Sequence, residues 1–144
     1  MGQLNESLRC SKQAYDLIQK DSCDNNFDYL KKRIQYNLSV ALYSYGDKSG
    51  ALKLIDDILS DSIKYSREYL PSYLYSKLRH AKILFELTND TILFINDVQS
   101  VLKLCEENIH TMPECSLVYR DMLDLLFKYN TNSLLRGEYL RRAI

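Results

Sequence analysis

One apolar triplet recurs along this chain at a single spacing. Leu42-Tyr43-x-Tyr45 returns as Leu84-Phe85-x-Leu87 and again as Leu126-Phe127-x-Tyr129, 42 residues apart each time. Self-similarity at a period of about 20 to 50 residues marks a chain built of supersecondary units, each of which leaves an apolar face bare and buries it against the next. Pro71 and Pro113 keep the same interval, and each stands just ahead of a new apolar run, where the fixed φ of proline suits the first turn of a helix. A turn follows every triplet: Gly46-Asp47, Asn89-Asp90 and Asn132-Ser133, now 43 residues apart. Gly and Asn tolerate the left-handed conformation that ends a helix, and Asp or Ser caps the next one.

The units are helical. Phe27, Leu30, Ile34, Leu38, Ala41 and Tyr45 step by three and four, as do Leu74, Leu78, Ala81 and Phe85, which places each set on one face of a helix. No stretch alternates with period two long enough to make a strand, and only 2 prolines and 4 glycines interrupt the chain. The spacing predicts seven helices, at 3–20, 26–45, 48–65, 71–88, 91–109, 113–129 and 133–143. They group into one domain over 1–144: a leading half repeat at 1–25, then helical hairpins at 26–70, 71–112 and 113–144. The fold class expected is all-α, a stack of antiparallel helical hairpins.

Within this pattern the segment Ile34–Leu59, IQYNLSVALYSYGDKSGALKLIDDIL, resembles a tetratricopeptide repeat. Leu38, the small Ser39, Leu42, Gly46-Asp47, Ala51, Ile55 and Ile58 fall where that family places its packing residues. The match weakens over the next two units, where Ala81 keeps the small position and Leu123 does not. A 42-residue unit also exceeds the usual repeat of about 34 and overlaps the length of HEAT and armadillo units. The resemblance implies a right-handed superhelix whose first helices in each pair line a concave groove. Carried over residue by residue, the groove takes Arg33, Tyr36, Val40 and Tyr43 from the first hairpin, Tyr75, Leu78, Lys82 and Phe85 from the second, and Leu117, Arg120, Asp124 and Phe127 from the third. The family's clamp for a peptide carboxylate needs Lys and Asn where this chain has Tyr36 and Val40, so chaperone-tail binding is not expected. Tyr43, Phe85 and Phe127 have a second reading, as core residues packed against their own hairpins.

Chemistry is hard to place on this chain. It has no phosphate-binding loop, nucleophile elbow, HExxH pair or EF-hand loop, so no enzyme is expected and no cofactor. His80 occupies the slot of Leu38 and Met122 in the sister units and reads as a packed histidine, and His110 as a solvated one at a helix end. Cys105, His110 and Cys115 make a poor zinc set, and Cys10 and Cys23 form no C-x-x-C pair; free thiols and no metal are expected. Asp56-Asp57 and Glu106-Glu107 are neighbours in sequence, so their carboxylates diverge on a helix and share no proton. Arg136, Arg141 and Arg142 give the last helix a basic edge that reads as exposed charge or as a match to an acidic partner.

Charge and hydropathy narrow the partners. The 19 basic and 19 acidic residues cancel in each half of the chain, which is not the field a nucleic-acid binder needs. No apolar run reaches the roughly 18 residues of a membrane span, and the first twenty residues lack a secretory signal. An intracellular protein, cytoplasmic or nuclear, is expected. The last apolar face reaches Ile144 without a polar capping helix, which points to a longer parent, to a partner, or to self-association through uncapped ends. The expected function is a protein–protein interaction scaffold or adaptor, a subunit or fragment of a larger complex that holds a peptide or helix in its groove. The alternative is a ligand- or peptide-sensing regulatory domain, as in tetratricopeptide-like receptors.

Overall fold

The computed structural model describes residues 2–20, 28–60 and 70–143. Its elements are α1 (Gly2–Lys20), α2 (Asp28–Tyr45), α3 (Lys48–Leu59), α4 (Leu70–Thr88), α5 (Thr91–Asn108), α6 (Cys115–Tyr129) and α7 (Ser133–Ala143). Among the described residues there is no strand, and the protein is all-α as the periodicity requires. The expected ends agree to within two residues wherever they can be compared; the expected helical positions 26–27 and 61–65 lie outside the described residues. The chain divides into two compact units, Met1–Ser76 and Lys77–Ile144, and the division falls inside α4.

In the first unit α2 packs against both α1 and α3. Leu38, Ala41 and Leu42 of α2 and Ala51, Ile55 and Ile58 of α3 are buried, spaced by three or four so that each helix turns one face inward. The connection between α2 and α3 is two residues long. Gly46 takes φ 101°, a conformation costly for any residue with a Cβ, and Asp47 then caps α3 by accepting a hydrogen bond from the Gly50 amide at 2.8 Å. Two helices in contact with so short a link run antiparallel. Ser39 and Ala51 are both fully buried, which is the close approach that small residues permit. Gln35, also buried, donates from Nε2 to the Leu54 carbonyl oxygen at 3.2 Å and so ties α2 to α3 with its own polar group satisfied.

In the second unit α6 packs against α5 and α7. The turn from α4 to α5 repeats the device of the first unit with different chemistry: Asn89 takes φ 55°, and Asp90 caps α5 by accepting from the Leu93 amide at 2.9 Å. The third turn departs from the expected pattern. Asn130 is extended at φ −75°, ψ 128° and nearly buried, and its Oδ1 accepts from the Asn132 amide at 2.9 Å. Asn132, not Ser133, then accepts from the Leu134 and Leu135 amides to cap α7. Pro71 and Pro113 are likewise not equivalent, because Pro71 lies in the first turn of α4 whereas Pro113 precedes α6 by two residues.

Helix α7 buries Tyr139 while Leu134 and Leu140 stay exposed, and polar contacts help to hold it. Tyr139 is buried and its hydroxyl oxygen accepts from Gln99 Nε2 at 3.0 Å. Arg142 pairs with Glu106, lies 3.8 Å from Glu138 Oε1 and donates to the Tyr119 hydroxyl at 3.1 Å.

Candidate functional site

A helix with one face in the core presents the residues half a turn away to whatever lies beside it, and on α6 those are Leu117, Arg120, Asp121 and Asp124. Together with Ala143 of α7 they line an open depression of about 340 Å³. Leu117 is 62% exposed, an apolar side chain without cover at one side of a charged surface. Lys82 of α4, half-buried, lies within electrostatic range of Asp121 and Asp124. Burial is the largest influence on its ammonium group and holds its pKa below the usual lysine value; Arg79, one turn earlier on α4, pushes the same way, while Asp121 and Asp124 oppose them.

The state of these charges is uneven across the unit. Arg142, Glu106 and Glu138 are paired internally, and the Arg136 guanidinium lies over the Phe127 ring at 4.8 Å. Lys82, Arg120, Asp121 and Asp124 form no hydrogen bond or ion pair among the described residues. Arg142 of the basic edge expected on α7 is therefore paired within the unit, while Arg141 stays exposed.

Of the expected groove residues, Leu117, Arg120 and Asp124 line this one depression, and Lys82 lies within electrostatic range of Asp124. Asp121 and Arg79 were missed by the sequence reading, since nothing in the one-dimensional pattern tells which charges on one helix will face a lysine on another. The other positions go elsewhere. Leu78 is 3% exposed and belongs to the buried face of α4, because it is one turn from Leu74 and Ala81 on the same stripe. Phe85 is stacked on Phe94 with ring centroids 4.7 Å apart, and Tyr129 makes T-shaped contacts with both rings at 5.2 Å; this aromatic side chain is half-buried and engaged by rings of its own unit. Phe127 is half-buried beneath Arg136. In the first unit Arg33 is exposed, and Tyr36, Tyr43 and Tyr75 are half-buried. Val40 lies beside α1, where it lines a second depression of about 340 Å³ with Ser7, Ser11, Asn37, Ala41 and Ser44.

The remaining reactive groups are placed unevenly. Cys105 and Cys115 are brought together, both fully buried, while His110 stays exposed. Burial pushes the Cys105 thiol up to about 12 and raises Cys115 as well. His80, expected in the core, is half-buried, whereas Leu38 and Met122 in the corresponding slots are buried. Among the described residues no helix is long and apolar enough to cross a membrane, and no three side chains of metal-binding type converge. Comparison of the chain with protein families, with curated proteins and with solved structures finds no match.

Proposed function

We propose that this chain is a non-catalytic protein-binding module, a tetratricopeptide-like scaffold or adaptor within a larger assembly, and that the surface between Lys82 and α6 receives a segment of its partner. One observation carries the reading. Lys82 is a half-buried cation with no ion pair or hydrogen bond among the described residues, and the exposed Arg120, Asp121 and Asp124 of α6 form none either. A partly desolvated charge without a close ion pair is only in part compensated by more distant carboxylates, and a bound carboxylate relieves the rest of that cost. The segment that fits carries an acidic side chain for Lys82 or Arg120, a basic one for Asp121 and Asp124, and an apolar one to cover Leu117. An amphipathic helix of mixed charge meets these terms. The repeat and the neutral overall charge support the same reading from the sequence side.

The test compares proteins recovered from the source cell by the parent chain and by an Asp121→Lys/Asp124→Lys variant. Both positions are exposed, but each favours the Lys82 ammonium, so the variant is expected to melt somewhat below the parent and recovery is compared at a temperature where both chains are folded. A partner bound through this face should lose at least about tenfold in affinity, because like charges set against each other at an interface cost on the order of several kcal/mol. Recovery of the same proteins in the same yield by both chains would remove this face from consideration.

A further inference from the structure

Cys105 lies in the last turn of α5, and Cys115 is the first residue of α6. Both are free thiols and both are fully buried. The Cys105 Sγ donates to the Cys115 carbonyl oxygen at 4.0 Å, which sets the first cysteine's side chain against the backbone of the second. The link between the helices is folded tightly on itself: Thr111 and Met112 amides donate to the Asn108 carbonyl oxygen, and the Cys115 amide to that of Met112. A sulfur already against the partner cysteine's backbone reaches disulfide geometry by side-chain and backbone adjustment within this short link.

Access is decided at the start of α6. Helices α3 and α5 begin on Asp47 and Asp90, whose carboxylates each accept a backbone amide. Helix α6 begins after Glu114, whose side chain caps nothing. An uncapped first turn costs less to open than a capped one, and opening it hydrates Cys115 so that its thiol ionises.

We propose that Cys105 and Cys115 are a latent dithiol, which a small-molecule disulfide oxidises to an intramolecular disulfide by way of an opened first turn of α6. The Cys115 thiolate attacks one sulfur of the reagent, forming a mixed disulfide and displacing one thiolate. Cys105 then gives up its proton and attacks the Cys115 sulfur, displacing the second thiolate. Two protein thiols lose two electrons and two protons, and the reagent leaves as two thiols. The product staples the end of α5 to the start of α6 and stabilises the fold by restricting the unfolded chain. The closed protein keeps both thiols protonated, so the rate follows opening of the turn.

The experiment uses the full chain with Cys10→Ser and Cys23→Ser, in which Cys105 and Cys115 are the only thiols. The reduced protein is incubated with oxidised glutathione in native buffer and, in parallel, in urea below the unfolding midpoint, then alkylated and analysed by intact mass and peptide mapping. The expected product is a monomer lacking two hydrogens, with the 105 and 115 peptides joined, formed at least about tenfold faster in urea because opening limits the rate. Its melting temperature is higher by several degrees and returns to the starting value on reduction. Adding Cys105→Ser should halt the reaction at a glutathione adduct on Cys115. Two alkylated thiols in urea as well as in buffer, a doubly glutathionylated chain, or linked dimers in place of the closed monomer would each overturn the proposal. Equal rates with and without urea would overturn the opening route.

Discussion

Phe85 and Lys82 are three residues apart on one helix and have opposite relations to their surroundings. The Phe85 ring is packed on Phe94 and Tyr129, so Phe85→Ser should lower stability by about 2 to 3 kcal/mol through lost burial and lost ring contacts, read as a shifted urea midpoint with partner binding changed only through folding. An unchanged midpoint would show that the ring is dispensable to the core. The Cys105 thiol offers a pH test. Its folded pKa is raised to about 12 from 9.0, so above pH 9 the unfolded chain releases a proton that the folded chain keeps. Stability is then lost as pH rises from 9 toward 12, at up to about 1.4 kcal/mol per pH unit for one group. Under reducing conditions Cys105→Ala should show a shallower alkaline decline than the parent; parallel declines would contradict the burial of that thiol. Lys82, whose folded pKa is lowered, works in the other direction, since below its usual value the unfolded chain holds more protons and stability gains with pH.

Turns separate what local sequence determines from what packing adds. Gly46 and Asn89 were legible as helix stops because a left-handed residue is required there and few residue types accept it. The third turn was not legible in detail, because Asn130 ends α6 by an extended conformation and a side-chain hydrogen bond, a choice between two uses of the same residue type. That difference accounts for the change in turn geometry where the sequence offers the same Asn-polar pair. Gly50 adds a constraint that the periodic pattern did not reveal. A Cβ at that position would meet the carboxylate of Asp47, the group that caps α3. Gly50→Ala should therefore displace the cap and, against the helix-propensity gain of alanine, cost a net of about 0.5 to 1 kcal/mol; Asp47→Ala, which loses the cap without that gain, should cost more, and the double variant no more than Gly50→Ala alone. Additive losses in that cycle, measured by urea unfolding, would show that the two residues act separately.

At the scale of the whole chain, the apolar stripes were readable because a helix turns its core face inward every three to four residues, whatever that face meets. The charged face around Lys82 was readable only in part. Its α6 side follows from helical spacing, but the approach of Asp121 and Asp124 to a lysine some forty positions earlier is a property of packing. The same packing leaves a signal for spectroscopy. The chain has no tryptophan, and Phe85, Phe94 and Tyr129, from three different helices, hold their rings within 5.2 Å of one another. In a T-shaped pair the protons of one ring lie in the shielding cone of the other, so this cluster of Phe85, Phe94 and Tyr129 should give aromatic resonances displaced from their ordinary positions. Those lines report from within whether α4, α5 and α6 stay assembled, and they should collapse to ordinary positions in Phe94→Leu while the exposed tyrosines keep theirs.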